Sequence, residues 1–133
     1  MGLDMYLTAV LSVSPSKLDE LKTIFPEVES IETVSTTIGY WRKAGAIHSW
    51  FVENVQYGND DCRLYNVNED EIKSLFEIIN NIIEKKQKPE EVLPYEEEDY
   101  ECYFENLVHT KKILETALKL AESGWRFKYQ SSW

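Results

Sequence analysis

The stretch Ile38-Gly-Tyr-Trp-Arg-Lys-Ala-Gly-Ala-Ile-His-Ser-Trp-Phe-Val-Glu-Asn-Val55 combines an apolar stripe at helical spacing with an unusual density of aromatic and basic side chains. With Trp41 at the origin of a helical wheel and about 100° per residue, Ala44, Gly45, Ile47, His48, Phe51, Val52 and Val55 fall on the half that holds Trp41. That half is expected to face a core. Arg42, Lys43, Ala46, Ser49, Trp50, Glu53 and Asn54 fall on the other half, which leaves the Trp50 ring among polar neighbours, with Lys43 and Asn54 close to it. A large apolar ring on a polar face is the informative observation, since small exposed apolar residues are common on any protein. His48 lies mid-stripe, where a neutral histidine with satisfied ring nitrogens is the commoner state and a ligand or acid-base role is the alternative.

On the N-terminal side, Leu3, Met5, Leu7, Ala9, Leu11 and Val13 stand at every second position, with Asp4, Tyr6, Thr8 and Ser12 between them. This period predicts a half-buried strand over residues 3–13. Ser14 then offers an N-cap and Pro15 a first helical position, with Leu18, Leu21 and Phe25 at helical spacing and Pro26 as the stop. Residues 31–37 are rich in β-branched side chains and predict a second strand.

On the C-terminal side, residues 56–63 carry turn chemistry and 64–67 read as a brief extended link. Asn68 with Glu71 forms a capping-box signature for a helix whose buried face is Ile72, Leu75, Phe76, Ile79, Ile82 and Ile83. Lys85, Lys86 and Lys88 close it, Pro89 lies just beyond, and residues 90–98 form an acidic loop. The longest helix is expected from about Asp99 to Ser123, on a stripe of Tyr103, Phe104, Leu107, Leu114, Leu118 and Ala121, with Gly124 as its stop. Residues 125–131 alternate aromatic with polar and read as the last strand. The expected fold is therefore α+β, one domain over residues 1–133. Its small, mainly antiparallel sheet consists of the N-terminal, second and C-terminal strands and is covered by three or four helices.

Composition bounds the function. Lys and Arg number 14 against 24 Asp and Glu, a formal net charge of -10, which argues against general binding to nucleic-acid backbones. A local basic pocket remains compatible with that balance. The two cysteines, Cys62 and Cys102, are too few and too far apart for a disulfide framework, so reduced thiols in a cytoplasmic protein are expected. The start of the chain has no basic region and Asp4 interrupts its apolar run, so neither a signal peptide nor a membrane span is read there. Asp60, Asp61, Cys62, His48 and His109 lack ligand spacing, and no metal or cofactor is expected. Phosphate-loop, dinucleotide-turn, zinc-protease and nucleophile-elbow motifs are absent, and no catalytic residue is assigned.

Several segments carry a resemblance. They are Ile38-Gly-Tyr-Trp-Arg-Lys-Ala with Ala46-Ile-His-Ser-Trp-Phe-Val, Asn54-Val-Gln, Asp60-Asp-Cys, residues 103–114 and the final Tyr-Gln-Ser-Ser-Trp133. In these the chain resembles a family of small phage and prophage proteins that begin Met-Gly-Leu-Asp-Met-Tyr-Leu. Members of that family are sometimes labelled phosphoglycerate kinase, but this chain lacks the length for the two large nucleotide-binding lobes of such an enzyme. It departs from the family at residues 14–30, where relatives continue in strand, and at residues 95–100, where acid replaces an aromatic, Gly-Ser-Thr-containing segment.

The resemblance implies a phage-type accessory protein that occupies a molecule of its host, in the host cytoplasm. The expected function is non-enzymatic sequestration of a small anionic, nucleotide-like molecule. Tyr40 or Trp50 would stack on its base, Arg42, Lys43 and Arg126 would pair with phosphate, and His48 and Asn54 would lie beside them. Inhibition of a host protein through the acidic residues 90–101 is the alternative, and a small enzyme is a second one. A homo-oligomer is expected, with Trp50 or Trp133 at a twofold contact.

Overall fold

The computed structural model describes residues 2–27, 30–94 and 100–133. Strand β1 (Asp4–Ser12) is followed by helix α1 (Pro15–Ile24), β2 (Thr33–Arg42), α2 (Gly45–Asn54), β3 (Tyr65–Val67), α3 (Glu69–Ile83), the single turn α4 (Pro89–Val92), α5 (Tyr100–Glu122) and β4 (Arg126–Ser132). The strands form one sheet in the order β2-β1-β4-β3, with every pairing antiparallel. This is the α+β fold expected from the sequence, with a third ladder, β3 on β4, where the sequence suggests only an extended link.

Local chemistry explains most of the boundaries. The Ser14 side chain accepts from the Lys17 amide and Pro15 opens α1. Asn68 and Glu71 close a reciprocal capping box at 2.8 and 2.9 Å, which satisfies two of the amides that a helix start leaves unpaired. Gly124 turns the chain after α5 at φ +86°, a conformation in which a Cβ would be strained.

Alternation in β1 sends Met5, Leu7 and Ala9 into the core, all fully buried. Trp41 from β2, Val67 from β3, and Phe127 and Tyr129 from β4 join them on the same face. Helices α2, α3 and α5 cover that face through residues such as Ile47, Phe51, Leu75, Ile79, Leu107 and Leu114.

Three expectations need correction. Residues 38–42 are strand, not the first turn of a helix: they continue the β-branched run and pair with β1, Met5 opposite Trp41 and Leu7 opposite Gly39. An extra residue at Ile38 shifts the register between Leu7 and Thr8, a β-bulge that increases the local twist. A Cβ at Gly39 would stand 2.6 Å from Ile113 Cγ2, so α5 approaches the strand where only glycine fits. Lys43, at φ +55° and donating its amide to Leu3 O at 2.7 Å, turns the chain from strand into α2.

Trp50 is the second correction, being 7% exposed where the helical wheel predicts a solvent-facing ring. Buried residues of α2 include Ala46, Ile47, His48, Trp50, Phe51 and Val52, so the helix is covered on nearly all sides. The Trp50 ring meets Phe51 edge-on at 5.2 Å. The third concerns the acidic loop: Glu90 and Glu91 lie in α4, with Pro89 opening that turn, while residues 95–99 lie outside the described residues.

Candidate functional site

The helices leave the second face of the sheet open, and the register places its side chains in rows. Arg42, Asp4 and Ser132 form the first, Tyr40, Tyr6 and Gln130 the second, and Thr37, Thr8, Lys128 and Asn66 the third. Ser35, Val10 and Arg126 form the fourth. Neighbouring strands lie about 4.8 Å apart and successive rows about 6.8 Å apart, so Arg42 and Lys128 stand at opposite diagonals of Tyr6, each about 8 Å away at the backbone. The strip thus has aromatic rings at its centre and a cation at either end.

The two tyrosines are the exposed aromatics of this face, Tyr6 at 38% and Tyr40 at 45%, with ring centroids 5.3 Å apart and planes tilted by 42°. The Tyr40 hydroxyl donates to Asp4 Oδ1. That bond and the nearby negative charge raise the Tyr40 pKa above its ordinary 10.0, while Arg42 opposes the shift. On its other side the Tyr40 carbonyl accepts from His109 Nε2 at 2.7 Å, which fixes β2 against α5. Arg42, Lys128 and Arg126 make no ion pair among the described residues, and Asp4 is the one carboxylate in these four rows. In a chain of net charge -10 this face is locally cationic.

At the lower end of the face a cleft of about 810 Å³ opens between Arg126, Lys128, Tyr57, Trp125 and the first turn of α3. Glu69 and Glu71 also line it, and the capping box already occupies the start of that helix. An anion is therefore better received by the rows around Tyr6 than by the cleft.

A second constellation sits inside. His48 Nδ1 lies 2.6 Å from the Tyr129 hydroxyl, and His48 Nε2 lies 2.9 Å from Asp60 Oδ1. The same carboxylate oxygen accepts from Trp133 Nε1 at 2.9 Å. A neutral His48 protonated on Nε2 satisfies every partner, accepting the Tyr129 hydroxyl on Nδ1 and donating to Asp60. The Tyr129 side chain is fully buried, and desolvation pushes its pKa far above the ordinary value. The chain of bonds therefore runs from the exposed Asp60 carboxylate to a hydroxyl buried in the core. It ties the loop carrying Asp60 and the C-terminal Trp133 to the core, and Gln130 adds a bond to Cys62 O at 3.1 Å.

The residues expected to form one site are thus divided. Tyr40, Arg42 and Arg126 share the open face, with Arg126 two rows below Tyr6. Lys43 forms the turn into α2, and Trp50 and His48 belong to the core. Asn54 donates its side-chain amide to Trp50 O at 2.9 Å. Trp133 remains 51% exposed with its nitrogen on Asp60. Asp4, Tyr6, Lys128 and Gln130 are absent from the expected site, although all four occupy the outward positions of their strands. Only the strand order, with β4 beside β1, brings them next to Tyr40. Among the described residues no group of three or more His, Cys, Asp or Glu is placed to hold a metal ion, and no helix is long and apolar enough to cross a membrane. Compared with protein-family models, with curated proteins and with solved structures, the chain matches none.

Proposed function

We propose that the chain binds and sequesters, without transforming it, a small anionic molecule bearing a planar ring, a nucleotide or a close chemical relative, on the open face of its sheet. The observation that carries this reading is the exposed Tyr6–Tyr40 pair set between Arg42 and Lys128 on one sheet face of a strongly acidic chain. Tyrosine rings offer a flat surface to a base, at about 1–3 kcal/mol per stacked base in comparable sites. Arg42 can present two parallel donors to a phosphate, and Lys128 a point charge on the far side. Acidic residues elsewhere are screened beyond a Debye length of about 8 Å, so they do not cancel cations that touch the ligand.

Sequestration is favoured over turnover because, in the Asp60–His48–Tyr129 chain of bonds, the His48 and Tyr129 rings are buried and only the Asp60 carboxylate reaches solvent, and Asp4 is held by Tyr40. The resemblance to phage and prophage proteins supports a setting in which the bound molecule belongs to a host. A thermal-shift screen against mononucleotides, dinucleotides and cyclic dinucleotides tests the reading: a ligand at about 100 times its Kd stabilises the folded state by about 2.7 kcal/mol. For any compound found, Arg42→Ala with Lys128→Ala is expected to weaken binding at least tenfold while leaving the melting temperature of the free protein within a few degrees. No shift across the panel, or undiminished binding by that variant, sinks the proposal.

A further inference from the structure

The two edges of the sheet are unlike. At one edge β3 is three residues long, while β2, at the other, runs for ten. Long free edges present unpaired amides and carbonyls, and proteins blunt them with charge, proline, a bulge or a covering element. The C-terminal half of β2 is blunted in two of these ways, by the bulge at Ile38 and by His109 on the Tyr40 carbonyl. Among the described residues the N-terminal half, Thr33-Val34-Ser35-Thr36-Thr37, has none of them: it carries no charge and no proline, and Thr33, Ser35, Thr36 and Thr37 are exposed.

The direction of its peptide groups follows from one hydrogen bond. The Val13 amide donates to Glu32 O at 2.9 Å, so Glu32, Val34 and Thr36 turn their peptide groups toward β1. Thr33, Ser35 and Thr37 therefore turn theirs outward. Three outward residues at even spacing form a self-complementary template. About a twofold axis at Ser35, antiparallel pairing sets Thr33 opposite Thr37 of a second copy and Ser35 opposite itself. No charge meets a like charge in that register, and cross-strand threonine pairs are favourable.

We propose that this half of β2 pairs with the same segment of a second copy of the chain, joining two four-stranded sheets into one continuous sheet. A second copy is the occupant because the segment is its own complement and nothing in it selects a different strand. Pairing of five residues covers less than the roughly 1,200 Å² of a stable interface, so further apolar surface has to contribute. Helix α1, which precedes β2, has no buried residue, and at its end Ile24 and Phe25 are 68% and 51% exposed. Of the two tryptophans expected at a twofold contact, Trp50 is buried and Trp133 is 51% exposed with its nitrogen on Asp60; the edge of β2 is a different surface from both.

Sedimentation at micromolar concentration is expected to give twice the chain mass. Ser35→Cys, in a background of Cys62→Ser and Cys102→Ser, is expected to form a disulfide-linked dimer on mild oxidation, since a hydrogen-bonded cross-strand pair sets Cα atoms about 5.5 Å apart, within disulfide range. Ser35→Lys places two ammonium groups opposite each other on the axis and leaves the β1 pairing untouched, so it is expected to weaken the dimer at least tenfold with an unchanged circular dichroism spectrum. A monomeric wild type overturns the proposal, and so does a dimer that neither cross-links in the Ser35→Cys variant nor weakens in the Ser35→Lys variant.

Discussion

Phe51→Ala is the perturbation whose cost the structure fixes most directly. The Phe51 side chain is 1% exposed and stacks on Tyr129 with ring centroids 3.9 Å apart and planes within 6°. Trp41 and Trp50 meet it edge-on at 6.1 and 5.2 Å. Truncation removes the ring's transfer free energy and leaves a cavity walled by three large aromatic groups that cannot collapse into it, a combination that costs about 3–5 kcal/mol. A chain of this length has a total stability of roughly 7–20 kcal/mol, so the variant is expected to fold. Urea unfolding followed by tryptophan fluorescence should show a midpoint lowered by about 1.5–2.5 M at an unchanged slope, taking that slope as about 2 kcal/mol/M. Phe51→Leu should recover a large part of the loss. A cost below about 1 kcal/mol for Phe51→Ala would refute the reasoning, because it would mean that the ring is not the common contact of α2 and β4.

Two further outcomes follow from single contacts. Gly39→Ala drives a methyl group against Ile113 and is expected to destabilise by about 1–3 kcal/mol; combining it with Ile113→Ala should cost less than the sum of the two single changes, measured by the same unfolding assay. Tyr40, its pKa raised by the bond to Asp4, should lose its proton only above pH 10.0, as read from its ring NMR signal, and Asp4→Asn should bring the titration back toward the ordinary value. The sign for stability is that of a raised group: the contribution is complete below pH 10.0 and is lost as pH rises through the folded-state value, and a titration at or below the ordinary value would remove the Tyr40–Asp4 bond from the account.

Elements with a local cause were legible in the sequence. The alternation of residues 3–13 specified the strand and its buried face, because a period of two survives in any context. The Asn68–Glu71 box, the Ser14–Pro15 start and Gly124 located helix ends, because each acts on backbone groups within a few residues of itself. The stripe of Tyr103, Leu107 and Leu114 located α5 in the same way.

What tertiary structure alone decided was which surfaces meet. Trp41 fits a helical stripe with Ile47, His48 and Phe51 and fits a strand with Gly39 equally well; pairing with Met5 selected the strand. Trp50 lies on the polar half of its wheel, yet the neighbours of this short helix leave only its end, at Glu53 and Asn54, exposed, so its ring was buried by what surrounds it and not by its own period. The open face is the clearest case. Asp4, Tyr6, Arg42, Lys128 and Arg126 come from three strands distant in the chain, and periodicity states which side of a strand a residue takes without naming the strand beside it. Only the order β2-β1-β4-β3 puts the cations on either side of the tyrosines.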